Sequence, residues 1–560
     1  MSETGTAPTG LHDYDVIILG AASAGSTLGA ILANHGTRVL LIDAAVHPKF
    51  AVGESTTLYT LKGYRQLAER YGIPELEYLT SYESGLENIG PTSGVKKHFG
   101  FMLHKEGEEP DPLEVNQFSP PSKALQTGHL FRQDTDAFLF HTAIKYGCSV
   151  RQGFRVADIE LGEDEVAVSD ARGERFTARY LVDGSGFRSP VADKLGLREG
   201  PDALKHHSRS MFTHMIGVKP TDDVLRMEPE DLPPIPWVEG TMHHMFERGW
   251  IWSIPFNNEP RSKNPLVSVG LTFDERLYPK PEGVTPEEEF RQFIKRFPAV
   301  ERIFADAVTV RPWTSTGRLQ YTSKETVGHR WCLMSHAAGF LDPLYSRGLT
   351  NTTELINAFA WRLLDALRED DFDVARFRYV DTLQKGLIKY NDALVNASFI
   401  GFSDYELWNA VYRVWAAAEV PINLRFDRYI ERYRATGDDQ VFKDMEDVEF
   451  PGLLLPDQPE YKAVFDEMVV LCDAVDRGEL PAAVAGRKLM AAIEASPGIM
   501  RGIGVEDRNR RFMFPGIPEL KAMSAWLLDE APEEMRYLAP TEPAVGAGTG
   551  TAVREVIIPE

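Results

Sequence analysis

Residues 15–43 read "DVIILGAASAGSTLGAILANHGTRVLLID", and this stretch decides the fold. An apolar run from Asp15 ends at Gly20, passes through a tight turn into a small-residue helix, and returns as a second apolar run closing on Asp43. Strand, turn, helix and strand in so short a span make a βαβ unit, which requires a parallel sheet and a right-handed crossover. Gly20 and Gly25 hold the first and third positions of the GxGxxG pattern: the first allows the tight turn, the third lets helix pack closely on strand. Ala22, Ser23 and Ala24 lie between them, at a helix N-terminus whose free N–H groups suit a pyrophosphate. Ala22 replaces the middle glycine and puts a methyl where backbone must approach phosphate. Asp43 ends the second strand, where a carboxylate accepts hydrogen bonds from a ribose.

The remainder of the 560 residues is long enough for two or three packed units, and 43% apolar with 26% charged residues fits a soluble globular chain. A net charge of −23 argues against nucleic acid or an anionic membrane as partner. No apolar run reaches the length needed to span a bilayer. Cys148, Cys332 and Cys472 are scattered, without a CxxC pair, which fits reduced thiols in a cytoplasmic protein and no zinc site. Neighbouring histidines in the doublets His206–His207 and His243–His244 point to opposite faces of a strand, so neither doublet chelates alone and no metal is expected. Residues 1–13 read as a flexible leader and 536–560 as a mobile tail.

Two later segments repeat the strand-to-small-residue-turn-to-helix pattern. "YLVDGSGFRSPVADKLG" closes a strand on Asp183 and Gly184, and "WCLMSHAAGFLDPLYSRGLTNT" follows a strand at 330–334 and opens a long helix. A strand is expected at 95–103, a second sheet over 205–275, and mainly helix from about 351 to 535. Together with the βαβ turn, these segments resemble the FAD-contacting motifs of the flavoprotein monooxygenase superfamily. With "VGES" (52–55), "GWIWSIP" (249–255) and "DPLYSRG" (342–348) in that order, the chain resembles the flavin-dependent halogenases, whose signature is GWxWxIP. The resemblance covers about residues 13–370.

It implies an α/β fold: an FAD-binding, Rossmann-like core over 14–350, with sheet insertions at about 85–130 and 205–320 forming an interleaved substrate domain. A helical C-terminal region at 351–535 would cover the substrate site. The implied activity uses FADH2 from a separate flavin reductase and O2 to convert chloride or bromide into hypohalous acid. That acid passes to a lysine, which presents the halogen to an electron-rich aromatic of phenol or pyrrole type, free or tethered to a carrier protein. Besides the turn residues and Asp43, the implied flavin contacts are Gly53, Glu54, Ser55, Arg132, Asp183, Gly184, His336, Asp342 and Pro343. The halide falls to Ser346, Arg347, Gly348 and Leu349, where a helix begins.

Trp250 and Trp252 have strand spacing, so both rings face one side, and the resemblance makes them a wall between flavin and substrate. In "SGVKKHFGFML" the lysine is Lys96, five before Phe101 and opposite to it in an extended chain; Lys97 and His98 are the alternatives. The family's acidic residue in "GDAAG" is His336 here, and the basic residue after the ribose-binding acid is Ala44. These departures imply modest flavin affinity, and they keep open a related flavoprotein that oxidises without halogen. The aromatic stretch at 391–415 is helix packing or a pocket wall.

Overall fold

The computed structural model describes residues 12–119, 126–513 and 516–539. The expected tail from 540 onward and the leader before residue 12 lie outside the described residues. Tyr14–Leu19 runs parallel to Val39–Asp43 on one side and to Arg175–Asp183 on the other, at the centre of an eight-stranded sheet. Trp331–Leu333 extends that sheet in parallel beside Arg175–Asp183. Val16, Ile17 and Ile18 are all fully buried, as expected of a parallel strand covered on both faces. The register aligns Leu19 with Asp183, and Asp183 with Leu333. The three motif turns therefore meet at the carboxyl edge of one sheet, where open α/β folds bind ligands.

A nine-stranded sheet carries the signature. Gly249–Pro255 lies between Thr241–Phe246 and Val267–Asp274, antiparallel to both. The strand expected at 95–103 is in fact two strands in different sheets. Phe99–Leu103 joins the large sheet beside Thr241–Phe246, whereas Gly94–Lys96 pairs with Thr127–His129 in a separate two-stranded ribbon. Two contacts impose the break. A Cβ on Gly94 would stand 2.3 Å from the Pro255 carbonyl oxygen, so only glycine lets the ribbon press against the end of the signature strand. The Lys97 N–H then donates to Glu239 O rather than to the ribbon.

Beyond residue 347 the chain is mainly helical, led by Gly348–Glu369, Arg378–Gly401 and Tyr405–Thr436. The last two bury their apolar faces against the second sheet, and Trp408 and Trp415 share one core with Phe99, Phe101, Trp250 and Trp252. The aromatic stretch at 391–415 is thus part of the core. Among the described residues, no helix is long and apolar enough to cross a membrane.

Candidate active site

A cleft of about 670 Å³ opens over the βαβ turn, lined among others by Gly20, Ala22, Asp43, Lys49, Arg155 and Gly184. A Cβ on Gly25 would meet Gly20 O at 1.9 Å, and one on Gly20 would meet Gly184 O at 2.5 Å. Both glycines are required by close backbone packing. Helix Ser23–Asn34 has no side-chain cap at its N-terminus, so its first N–H groups are left for a ligand. Asp43 accepts from Ala21 N at 2.7 Å and Ala45 N at 2.8 Å and is ion-paired with Lys49. Lys49 supplies the cation that Ala44 lacks; sequence spacing alone did not reveal it. An uncapped helix N-terminus beside an acid–base pair fits the pyrophosphate and ribose of FAD. Asp183 does not contribute a free carboxylate: it accepts from Ser185 Oγ (2.6 Å), Ser189 Oγ (2.6 Å), Ser185 N (3.0 Å) and Val191 N (3.1 Å). It fastens the turn, while Gly184 lines the cleft.

Arg132 draws the motifs together. Its guanidinium binds Asp136 through two contacts of 2.9 Å, the carbonyls of Val52 and Gly53 at 3.0 Å, and Ser23 Oγ at 3.4 Å. One buried side chain thus ties the VGES turn to the nucleotide helix. Glu54 is buried and pairs with His214 Nε2 at 2.7 Å. Asp342 is similarly committed, accepting from Leu344 N at 3.0 Å and Ser208 Oγ at 3.1 Å. Pro343 O accepts from Ser346 N at 2.9 Å and closes the turn that starts helix Gly348–Glu369. His336 lies against that helix start, since a Cβ on Gly348 would be 3.1 Å from its Nε2. Burial, aided by the Arg132 charge, pushes the His336 pKa down to about 4, so the ring is neutral. Of the expected residues, His336, Gly348 and Leu349 meet at this helix start, whereas Gly20, Ala22, Asp43 and Gly184 lie at the cleft over helix Ser23–Asn34.

Lys96 is 1% exposed. Its amine donates to Ser55 Oγ and to Thr56 O, each at 2.7 Å, and lies 3.3 Å from the centre of the Phe99 ring. Burial drives its pKa well below 10.5, opposed only by the charge of Glu419. Lys97 is a third exposed and ion-paired with Glu239, outside this site. His98 turns away, with Nε2 3.0 Å from Pro236 O and its ring edge-on to Trp237. The geometry thus separates the three candidates. Phe99, rather than Phe101, is the ring beneath Lys96.

Trp250 and Trp252 lie side by side, with ring centres 5.5 Å apart, and both are buried. Trp252 stands directly over Gly270, where a Cβ would approach the indole to 2.0 Å. Phe99 packs edge-on against Trp415 at 5.1 Å. One helical turn on from Trp415, Glu419 projects from the same face. It is buried, and its pKa is raised to about 7 by burial against the lowering charges of Arg347 and Lys96. No sequence motif marked Glu419, because its partners lie in distant segments. Arg347 is buried as well, and its charge acts on Glu354 and Glu419.

Fold and cleft define a flavoprotein: the FAD binding domain family model matches residues 13–370. The chain belongs to that family and, within it, to the flavin-dependent halogenases. It is 50% identical to tetracycline 7-halogenase of Kitasatospora aureofaciens, over 94% of this chain and 95% of that protein. It is 43% identical to monodechloroaminopyrrolnitrin halogenase PrnC of Pseudomonas fluorescens, over 95% of each. The crystal structure of halogenase PltM in complex with phloroglucinol and FAD superposes with a TM-score of 0.87 at 35% identity, covering 90% of this chain and all of that one.

Proposed function

We propose that this enzyme halogenates an electron-rich aromatic small molecule of phenol or pyrrole type, and that Lys96 delivers the halogen. The observation that carries this reading is a wholly buried amine, its pKa lowered by that burial, held by two hydrogen bonds between the VGES turn and an aromatic wall. Bound FADH2 with O2 would supply hypohalous acid from chloride or bromide. Gly20, Ala22, Ser23, Asp43 and Arg132 would hold the nucleotide, and the N-terminus at Ser346, Arg347, Gly348 and Leu349 would hold the halide. The amine lone pair attacks the halogen, an N–halogen bond forms, and hydroxide leaves with one amine proton as water. The arene then takes the halogen as the N–halogen bond breaks, and the proton lost from the ring passes to the nitrogen and restores the amine. Glu419, with a pKa of about 7, is the base we assign to that proton. Trp250 and Trp252 separate the arene from the flavin.

The aromatic substrate class is supported by the names of the two relatives above and by phloroglucinol in PltM. Relatives whose names specify a peptidyl-carrier-protein substrate are 25% identical over 60–68% of this chain, which favours a free substrate here. A separate flavin reductase supplies FADH2. Buried, unpaired Cys148, Cys332 and Cys472 suit the cytoplasm. The test is turnover with FAD, a flavin reductase, O2 and chloride or bromide on a panel of phenols and pyrroles. Mass spectrometry is expected to show halogenated product; hydroxylated product alone contradicts the reading.

A further inference from the structure

Lys96 is the first member of a buried chain of hydrogen bonds that runs back to the signature strand. Ser55 Oγ lies 2.7 Å from Lys96 Nζ, 2.9 Å from Thr241 Oγ1 and 3.0 Å from Ser346 Oγ. Thr241 Oγ1 is in turn 3.0 Å from His129 Nε2, and His129 Nδ1 is 2.8 Å from Pro255 O. Lys96, Ser55, Thr241 and His129 are all buried, so no solvent competes for these groups.

The direction of every bond follows from its far end. The Pro255 carbonyl can only accept, so His129 carries its proton on Nδ1. Burial above all holds the His129 pKa down at about 3, so the ring is neutral and Nε2 presents a lone pair. Thr241 must donate to it, which uses its one hydrogen. Ser55 must then donate to Thr241, which uses its own. Toward Lys96 and Ser346, Ser55 can only accept.

A neutral amine has two N–H bonds and one lone pair. Ser55 Oγ takes one N–H and Thr56 O the other. The lone pair is left free of both. If Ser55 could reverse, its O–H would donate to that lone pair and mask the nucleophile.

We propose that Thr241 and His129 are positioning residues that lock the polarity of this chain and so keep the Lys96 lone pair open to hypohalous acid. The proposal rests on Lys96 being the halogen relay. The titratable groups electrostatically coupled to Lys96 are Glu419 on helix Tyr405–Thr436, His98 after the ribbon, His129 within it and His243 on strand Thr241–Phe246. Thr241→Val keeps shape and removes the hydroxyl, which frees Ser55 to turn.

The experiment measures kcat, the arene KM and the pH–rate profile for wild type, Thr241→Val, Thr241→Ser and Lys96→Ala with FAD, a flavin reductase and bromide. In Thr241→Val, kcat should fall about tenfold with KM little changed, because an ordinary hydrogen bond must break to expose the lone pair. Its acid limb should also move to lower pH, because the Ser55 hydroxyl now stabilises the neutral amine. Simple loosening of the site would admit water and move the limb to higher pH. Thr241→Ser restores the hydroxyl and should restore both values. A wild-type rate and limb in Thr241→Val, with Lys96→Ala inactive, overturns the inference alone. Full halogenation by Lys96→Ala overturns the relay reading beneath it. Should Thr241→Val not fold, His129→Phe keeps a ring, removes the acceptor and carries the same expectations.

Discussion

The amine of Lys96 lies 3.3 Å from the centre of the Phe99 ring. A cation over an aromatic face gains about 0.5–2 kcal/mol, whereas moving an ion into a protein interior costs several. The burial penalty is larger, so burial lowers the amine pKa and favours its neutral form. A neutral amine is a nucleophile; an ammonium is not. Halogenation should therefore rise with pH through a limb well below 10.5. Lys96→Arg, which keeps its charge at any working pH, should give no halogenated product at any point of that profile.

Glu419 adds a second limb. As a base it must be ionised, so its contribution is lost as pH falls below about 7. Glu419→Gln should lower kcat about a hundredfold or more and remove that limb, while FAD binding is unchanged. Stability should move the other way. Because the folded pKa is raised above 4.5, the folded state is favoured below 4.5 and loses stability as pH rises through about 7. Glu419→Gln should melt higher than wild type at pH 8 and equally near pH 4.5, measured by calorimetry.

Arg132 makes its contacts to Asp136, Val52, Gly53 and Ser23 through a planar fork. Lysine keeps the charge but not that geometry. Arg132→Lys should weaken FAD binding about tenfold, read by flavin fluorescence, with halide saturation little affected at saturating FAD.

Gly270 carries the Trp252 indole with no room for a methyl. Gly270→Ala should cost roughly 1–3 kcal/mol of stability through overpacking, seen as a lowered melting temperature. It should also raise the FADH2 consumed per halogenated product, since the tryptophan wall must shift. An unchanged melting temperature and an unchanged ratio would remove the wall from the account.

The parts of this molecule that were legible in the sequence were local. The βαβ unit needs only apolar runs and glycine spacing, and the signature occupies the strand Gly249–Pro255 at the expected bounds. The parity argument for Lys96 assumes one strand; the strand breaks at Lys97 and His98, and what sets Lys96 apart in the structure is its burial beside Ser55 and Phe99. Asp183 looked like a ligand contact because it ends a strand at the correct edge, yet four hydrogen bonds from its own turn occupy it. Glu419, Thr241 and His129 carry no motif at all. Their meaning comes from distant segments brought together by packing, which no spacing rule encodes.

The central claim is that Lys96, and no neighbouring base, passes the halogen to the arene. The most direct measurement compares Lys96→Ala with Lys97→Ala in turnover with FAD, a flavin reductase, O2 and bromide, with brominated arene counted by mass spectrometry. The account predicts no brominated product from Lys96→Ala and wild-type product from Lys97→Ala. Product from Lys96→Ala at the wild-type rate, or its loss in Lys97→Ala alone, would contradict it.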